Sequence, residues 1–315
     1  MKDGFIKVAA GTPDVQVADC EFNAAEIIKM VREMEAEGAK VMVFPELCIT
    51  AYTCGDLFWQ ENLLEEAKVQ LVRIAEETAD VDAIIFVGLP LEYKGKLYNV
   101  AAGLNHGEIL GFVPKTYLPN YNEFYEARYF TSGEDVDGTV TIRRSEYGLH
   151  HDEEMTDEDV EFGLEAELEA LEEEDSFEEL EEIDEEPDYI DEDETEEFDE
   201  VDVPISSNIL FICQEMPKLK IAAEICEDLW VPNPPSVGHA YHGANLIVNL
   251  SASDEVVGKD SYRKSLVSAQ SARLLCGYIY ATAGEGESTQ DVVYGGHNLI
   301  AENGTILAES RRFVN

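Results

Sequence analysis

The stretch Lys220-Ile-Ala-Ala-Glu-Ile-Cys-Glu-Asp-Leu-Trp230 starts as a short apolar run and cannot continue as one, because Pro232, Pro234 and Pro235 follow. Proline offers no amide N–H to a sheet ladder, so a strand over Lys220–Ile225 must turn at Cys226-Glu227. A cysteine at such an elbow is expected to be exposed at the carboxyl end of a strand, with free backbone N–H groups behind it. That places a nucleophile and an oxyanion donor in one turn. The alternative is a small buried hydrophobe, which is how most free cysteines behave, and Cys20, Cys48, Cys54, Cys213 and Cys276 fit it better.

Outward from this elbow, short runs rich in branched residues alternate with longer helical patterns. Strands are predicted at Phe5–Ala9, Val41–Phe44, Ala83–Gly88, Tyr98–Leu104, Glu108–Val113, Leu246–Leu250, Tyr278–Thr282, Asn298–Ile300 and Thr305–Ala308. Helices are predicted at Asn23–Glu37, with Asn23 and Glu26 as a capping box, and at Leu63–Glu77 and Ser261–Leu275. Lys94-Gly95-Lys96, Asn105-His106-Gly107 and Glu302-Asn303-Gly304 are hairpin signals. Helix-linked strands mixed with hairpins give an α/β domain whose mixed sheet is covered by helices on its outer faces. No G-x-G-x-x-G follows the first strand, which excludes a dinucleotide-binding reading.

The 315 residues carry 21 Lys+Arg against 68 Asp+Glu, a formal charge of −47, and 45% are hydrophobic. The apolar content excludes a wholly disordered chain, and so negative a surface repels phosphate backbones, so no nucleic-acid partner is expected. The excess is local: 31 acidic residues and no basic one lie between Asp152 and Asp202, leaving 37 acidic and 21 basic residues elsewhere. The tract reads as a solvated loop, disordered at neutral pH, between a strand edge at Thr139–Arg144 and its return at Asn208–Phe211. Leu164, Leu168 and Leu171 could line a helix there, against the repulsion of neighbouring carboxylates. As a binding arm the tract would suit a basic protein or divalent ions, yet no D-x-D-x-D-G loop is present.

Two further strand ends carry reactive side chains. Val41-Met-Val-Phe-Pro-Glu-Leu47 places Glu46 where an apolar strand stops, partly desolvated and so raised toward a useful base, or simply turned to solvent. Gly111-Phe-Val-Pro-Lys-Thr-Tyr-Leu-Pro-Asn120 places Lys115 just past another strand, as fixed positive charge or as a surface lysine covering apolar neighbours.

Glu46, Lys115 and Cys226, in that order and in PEL, PK and ICED contexts, resemble the carbon–nitrogen hydrolase (nitrilase) superfamily. The resemblance implies a four-layer α-β-β-α sandwich with a long acidic loop insertion. It also implies a Glu–Lys–Cys triad in which Glu46 is general base, Lys115 stabilises the tetrahedral intermediate and Cys226 attacks an amide carbon. Glu126, seven residues before Gly133, matches the further glutamate that orients the lysine and substrate. The segments FPELCITAYTCGDLF, PKTYLPNYNEFYEARYF, NLSASDEVVGKDSYRKSLV and YATAGEGESTQDVVYGGHNLI narrow the likeness to the glutaminase domains of glutamine-dependent NAD(+) synthetases. That family implies glutamine as substrate, with Tyr52, Tyr121, Phe124, Glu227 and Ser253 around its amino-acid end. Ammonia would then pass to a synthetase domain that amidates deamido-NAD with ATP. The alternative is a free-standing amidase of the same superfamily acting on another carboxamide.

The expected organisation is one amidase domain over 1–315 with an insertion at 146–203. No S-G-G-x-D-S-like pyrophosphate loop is present, so ATP and magnesium would belong to a synthetase domain outside this chain, joined in cis or in trans. The amidase step itself calls for no cofactor. None of the six histidines has metal-ligand spacing on a recognisable helix, so no metal site is expected. Six cysteines without a C-x-x-C pair suit a reducing compartment, and no window approaches the ~18 apolar residues of a membrane span. The chain therefore reads as cytoplasmic and without membrane association, and the resemblance implies a homo-oligomer.

Overall fold

A computed structural model describes residues 4–143 and 200–313. Its first sheet comprises β1 (Val8–Ala10), β2 (Val41–Val43), β3 (Ile84–Tyr93), β4 (Lys96–Asn105), β5 (Glu108–Pro114), β6 (Asp137–Arg143) and β7 (Glu200–Ser206), in the order β1-β2-β3-β4-β5-β7-β6. The second comprises β8 (Phe211–Ile212), β9 (Lys220–Ile225), β10 (Leu246–Ser251), β11 (Gly277–Thr282), β12 (Leu299–Glu302) and β13 (Thr305–Glu309), in the order β13-β12-β11-β10-β9-β8. Helices α1 (Cys20–Ala36) and α2 (Glu61–Glu77) cover the first sheet; α3 (Pro235–Tyr241) and α4 (Lys259–Leu274) cover the second.

Strand alternation builds the layers. Val41 and Val43 of β2 face inward with Phe86, Ala101 and Val113, meeting Ile221, Ala223, Ile225, Val248 and Ile279 of the second sheet. Met42 and Ile85, one residue out of phase, pack instead against Ile27 and Val31 of α1 and Leu71 of α2. On the far side, Ala222, Ile247 and Tyr278 face Val267 of α4. Strands buried on both faces read as continuous apolar runs rather than alternating ones, as these do. Each fully buried Ile, Leu or Phe contributes ~1.5–3 kcal/mol, so the three interfaces together dominate stability.

Strands β1–β2–β3, at one edge of the first sheet, and β9–β10–β11, in the middle of the second, are parallel, and antiparallel hairpins β3–β4–β5 and β12–β13 extend the two sheets. Lys94 and Gly95 both have positive φ, 51° and 70°, as a two-residue turn twisted to match its strands requires. Strand β3 runs past the predicted end at Gly88 to Tyr93, carrying Pro90 opposite Asn99 within the β3–β4 hairpin.

Three expectations are corrected. Helix α1 begins a turn early, capped by Asp19, whose side chain accepts from Phe22 N–H at 3.0 Å. Asn23 is no cap: its side chain accepts from Gln16 N–H and donates to the carbonyls of Gln16 and Ile49, tying the preceding loop to the strand-end turn. The return of the acidic segment is β7, paired antiparallel with β6, because Val201, Val203 and Ile205 alternate toward the core. Phe211–Ile212 instead pairs with β9 in the opposite sheet. Residues 200–203, assigned to the insertion, therefore belong to the sheet, while 146–199, with the Leu164–Leu171 helix pattern, lie outside the described residues. No helix among the described residues is long and apolar enough to cross a membrane.

Candidate active site

The carboxyl ends of β2, β5, β9 and β10 converge, and each delivers one or more polar side chains to the same buried point. Glu46 leaves β2 through a Pro45-Glu46-Leu47 turn in which Leu47 has φ of 52° and Glu46 N–H donates to Ser251 C=O at 3.2 Å. The turn lies flat on β3 because residue 88 is glycine: a Cβ there would stand 2.3 Å from the Leu47 nitrogen. Lys115 follows β5, its N–H bonded to Asn99 C=O and its C=O to Gly133 N–H, both at 2.8 Å.

Lys115 is fully buried, and its ammonium donates to Glu46 Oε1 at 2.6 Å and to Glu126 Oε1 at 2.7 Å. Tyr52 donates to the same Glu126 oxygen at 2.7 Å. Glu46 is held on three sides, by Lys115, by Asn99 Nδ2 at 2.6 Å and, through its second oxygen, by Ala252 N–H at 2.9 Å. Burial works against the Lys115 charge, but Glu126 and Glu46 outweigh it and hold its pKa well above the lysine range. Burial raises the Glu126 carboxyl, with Lys115 pulling against it and Glu46 adding to it.

Cys226 opens the 3-10 turn Cys226–Leu229 with φ of 44°, a left-handed conformation that a side chain beyond glycine adopts only where its surroundings impose it. Asp228 imposes it. Its carboxylate accepts from Ile225 N–H at 2.9 Å and from Tyr117 N–H at 2.8 Å, clamping the cysteine turn to the loop carrying Lys115. Against the expectation of an exposed elbow, the thiol is buried, packed into the interface between the sheets with the charges of Glu46, Lys115 and Glu126 acting on it. Burial, then Glu46, pushes its pKa up, which favours the thiol over the thiolate.

The remaining expected residues form the rim. Tyr121 donates to Glu227 Oε2 at 2.9 Å and stacks edge-on against Phe124 at 6.1 Å. Burial raises the Glu227 carboxyl, Tyr121 opposing it. Ser253 is buried after β10, its N–H on Thr282 Oγ1 and its hydroxyl accepting from Arg263 at 3.2 Å. A cavity of about 110 Å³ opens beside Glu126 and Tyr52, walled by Phe58, Phe124, Tyr125 and Tyr294. Of the nine candidate residues, Tyr52, Phe124 and Glu126 line the cavity, Glu46 and Lys115 join Glu126 through hydrogen bonds, and Tyr121 reaches Glu227 beside Cys226. Among the described residues no cluster of His, Cys, Asp or Glu suits a metal ion.

Sequence reasoning missed four supports. Asn99 is an amide in the middle of the apolar β4 run, and Asp228 stands within the ICED motif itself; both signals were visible. Lys259 pairs with Asp254 and lies 5.7 Å above the Phe124 ring and 5.3 Å above Trp230. Arg263, wholly buried, reaches Ser253, Glu255 and His297. Neither cation is distinguishable in sequence from an ordinary helix-surface base.

A carbon-nitrogen hydrolase family profile matches residues 7–314. A glutamine-dependent NAD(+) synthetase of Mycobacterium tuberculosis is 34% identical over 310 residues, 98% of this chain and 37% of that protein. The crystal structure of a glutamine-dependent NAD(+) synthetase from Cytophaga hutchinsonii superposes with a TM-score of 0.71 at 25% identity, covering 98% of this chain and 40% of that one. An amidase from Nesterenkonia sp. shares the fold, with a TM-score of 0.64 at 15% identity over 99% of this chain and 88% of its own. The chain spans little more than a third of the length of the synthetases it matches.

Proposed function

The chain belongs to the carbon-nitrogen hydrolase family, and from that premise we propose that it hydrolyses the side-chain amide of glutamine through a cysteinyl thioester at Cys226. The observation that carries this reading is the buried Lys115 ammonium bridging Glu46 and Glu126 beside a cysteine held at positive φ. Likeness to glutamine-dependent NAD(+) synthetases supports glutamine as the substrate.

Glu46 takes the thiol proton as Cys226 Sγ bonds to the amide carbon, and the carbonyl π electrons move onto oxygen. Lys115 and the Glu227 N–H face that oxyanion, where fixed donors in a water-poor site act most strongly. Collapse of the intermediate breaks the C–N bond, and Glu46 returns the proton to the departing ammonia. Water then adds to the thioester with Glu46 again as base, releasing glutamate and the thiol. Glu126 and Tyr52 keep Lys115 aimed throughout, and the scheme uses side chains and backbone alone. Tyr121, Phe124, Glu227 and Ser253 surround the amino-acid end of glutamine, with Glu227 drawn to its ammonium. The ammonia feeds an ATP- and magnesium-dependent amidation of deamido-NAD on a synthetase domain, in cis or in trans, within a cytoplasmic homo-oligomer.

A substrate panel tests the reading. Ammonia release is expected to be fastest from glutamine among glutamine, asparagine and simple ω-amides. If glutamine were the poorest of these, a general amidase of the same family would replace the glutaminase reading.

A further inference from the structure

The GEGEST segment, Gly284–Thr289, lies far from the triad in sequence, yet it ends on the loop that completes the site. Gly286 has φ of 104° and presses against Val15, where a Cβ would stand 2.1 Å from the Val15 carbonyl oxygen. That close turn aims Glu287 at residues 52 and 53. Glu287 Oε1 accepts from Tyr52 N–H at 2.7 Å, and Oε2 accepts from Thr53 N–H at 2.9 Å and from the Thr53 hydroxyl at 2.5 Å. Ser288 N–H closes the clasp on Thr53 Oγ1 at 2.8 Å.

The clasp sits where the chain needs holding. Ala51, immediately before Tyr52, has φ of 67° and ψ of 155°, a region occupied almost solely by glycine. Such a conformation persists only when neighbouring contacts over-determine it. Glu287 is itself buried, and among the described residues no basic side chain pairs with it. A buried carboxylate answered only by N–H and O–H donors is costly unless it holds them in one geometry.

From these contacts we infer that Glu287 is a positioning residue for amide hydrolysis, acting through Tyr52 to set Glu126 and, through it, Lys115. The line of contact is continuous: Glu287 to the Tyr52 backbone, the Tyr52 hydroxyl to Glu126 Oε1, and that same oxygen to Lys115 Nζ. The inference rests on the glutaminase reading and adds a specific claim to it: the grip of a distant loop on two backbone amides governs the aim of the oxyanion-binding cation. Glutamine would replace two acceptors with one and bring an NH2 group against backbone donors, so Glu287→Gln opens the clasp without changing size.

The test is a double-mutant cycle on ammonia release from glutamine, with the full chain as wild type, Glu287→Gln, Tyr52→Phe and the pair. Glu287→Gln is expected to lower kcat/KM about tenfold, mostly in kcat, because it disturbs the oxyanion cation rather than substrate capture. In the Tyr52→Phe background, where the hydroxyl contact with Glu126 is already gone, the same change should cost less than about twofold. Losses that multiply, or a Glu287→Gln enzyme as active as wild type, overturn the inference while leaving the glutaminase reading intact. A wild-type chain inactive on glutamine overturns that reading instead. Should Glu287→Gln fail to fold, Thr53→Val removes the two clasp bonds of the Thr53 hydroxyl, and its cycle with Tyr52→Phe decides the matter on the same criteria.

Discussion

The ammonium of Lys115 lies 2.6 Å from Glu46 Oε1, with both side chains wholly excluded from solvent. Removing one member of a buried ion pair costs more than the pair itself gains, because the partner is left charged and unsolvated. Here two carboxylates would be left, since Glu126 shares the same ammonium at 2.7 Å. Lys115→Met is expected to lower unfolding free energy by ~3–5 kcal/mol in urea titration. Adding Glu126→Gln should recover part of that loss. An unchanged urea midpoint for Lys115→Met would show that the cation is not what balances this cluster.

In the proposed mechanism Glu46 has a second duty, as proton acceptor, that its shape alone cannot perform. Glu46→Gln keeps the volume and a carbonyl oxygen toward Lys115 but removes the basic oxygen. Burial raises the Cys226 pKa, so the proposed attack relies on that base to take the thiol proton. Turnover of glutamine is expected to fall by about 10²–10⁴, with far-ultraviolet circular dichroism unchanged. Turnover within a factor of three of wild type would assign the base elsewhere.

His239 gives a pH test of the fold that does not involve the reaction. Burial, with a smaller contribution from His242, lowers its pKa from 6.5 to about 4. Between those values the unfolded chain binds a proton that the folded chain refuses, so stability falls as pH drops through the window. At ~1.36 kcal/mol per pKa unit, the whole window is worth roughly 3 kcal/mol. Urea unfolding of wild type and His239→Leu, at about pH 7 and about pH 4.5, should show wild type losing roughly 2–3 kcal/mol more than the variant. Parallel losses in both would mean that His239 titrates freely in the folded chain.

Much of this architecture was written in local patterns. Glu46, Lys115 and Cys226 were legible because each ends an apolar strand, and strands buried on both faces announce themselves as unbroken Val, Ile, Leu and Ala runs. Their convergence was not local information; it came from motif order, and the hydrogen bonds among them appear only in three dimensions. Asn23 was misread as a cap because a helix-start asparagine and a loop-bracing asparagine look alike in sequence, and only the Ile49 carbonyl distinguishes them. Strand β7 was hidden because Val201, Val203 and Ile205 alternate inside an acidic composition that dominated the window. Glu287 carries no local signal of its role, since its partners lie 235 and 234 residues away.

The most direct test concerns Cys226. Wild type and Cys226→Ala are incubated with glutamine for ammonia release, and with a chloroketone analogue of glutamine for intact-mass and peptide-level mass spectrometry. The expected result is ammonia release by wild type alone and a single adduct on Cys226, slowed by added glutamine. Equal ammonia release by Cys226→Ala, or an adduct on another of the six cysteines while residue 226 stays free, would contradict the thioester mechanism at its centre.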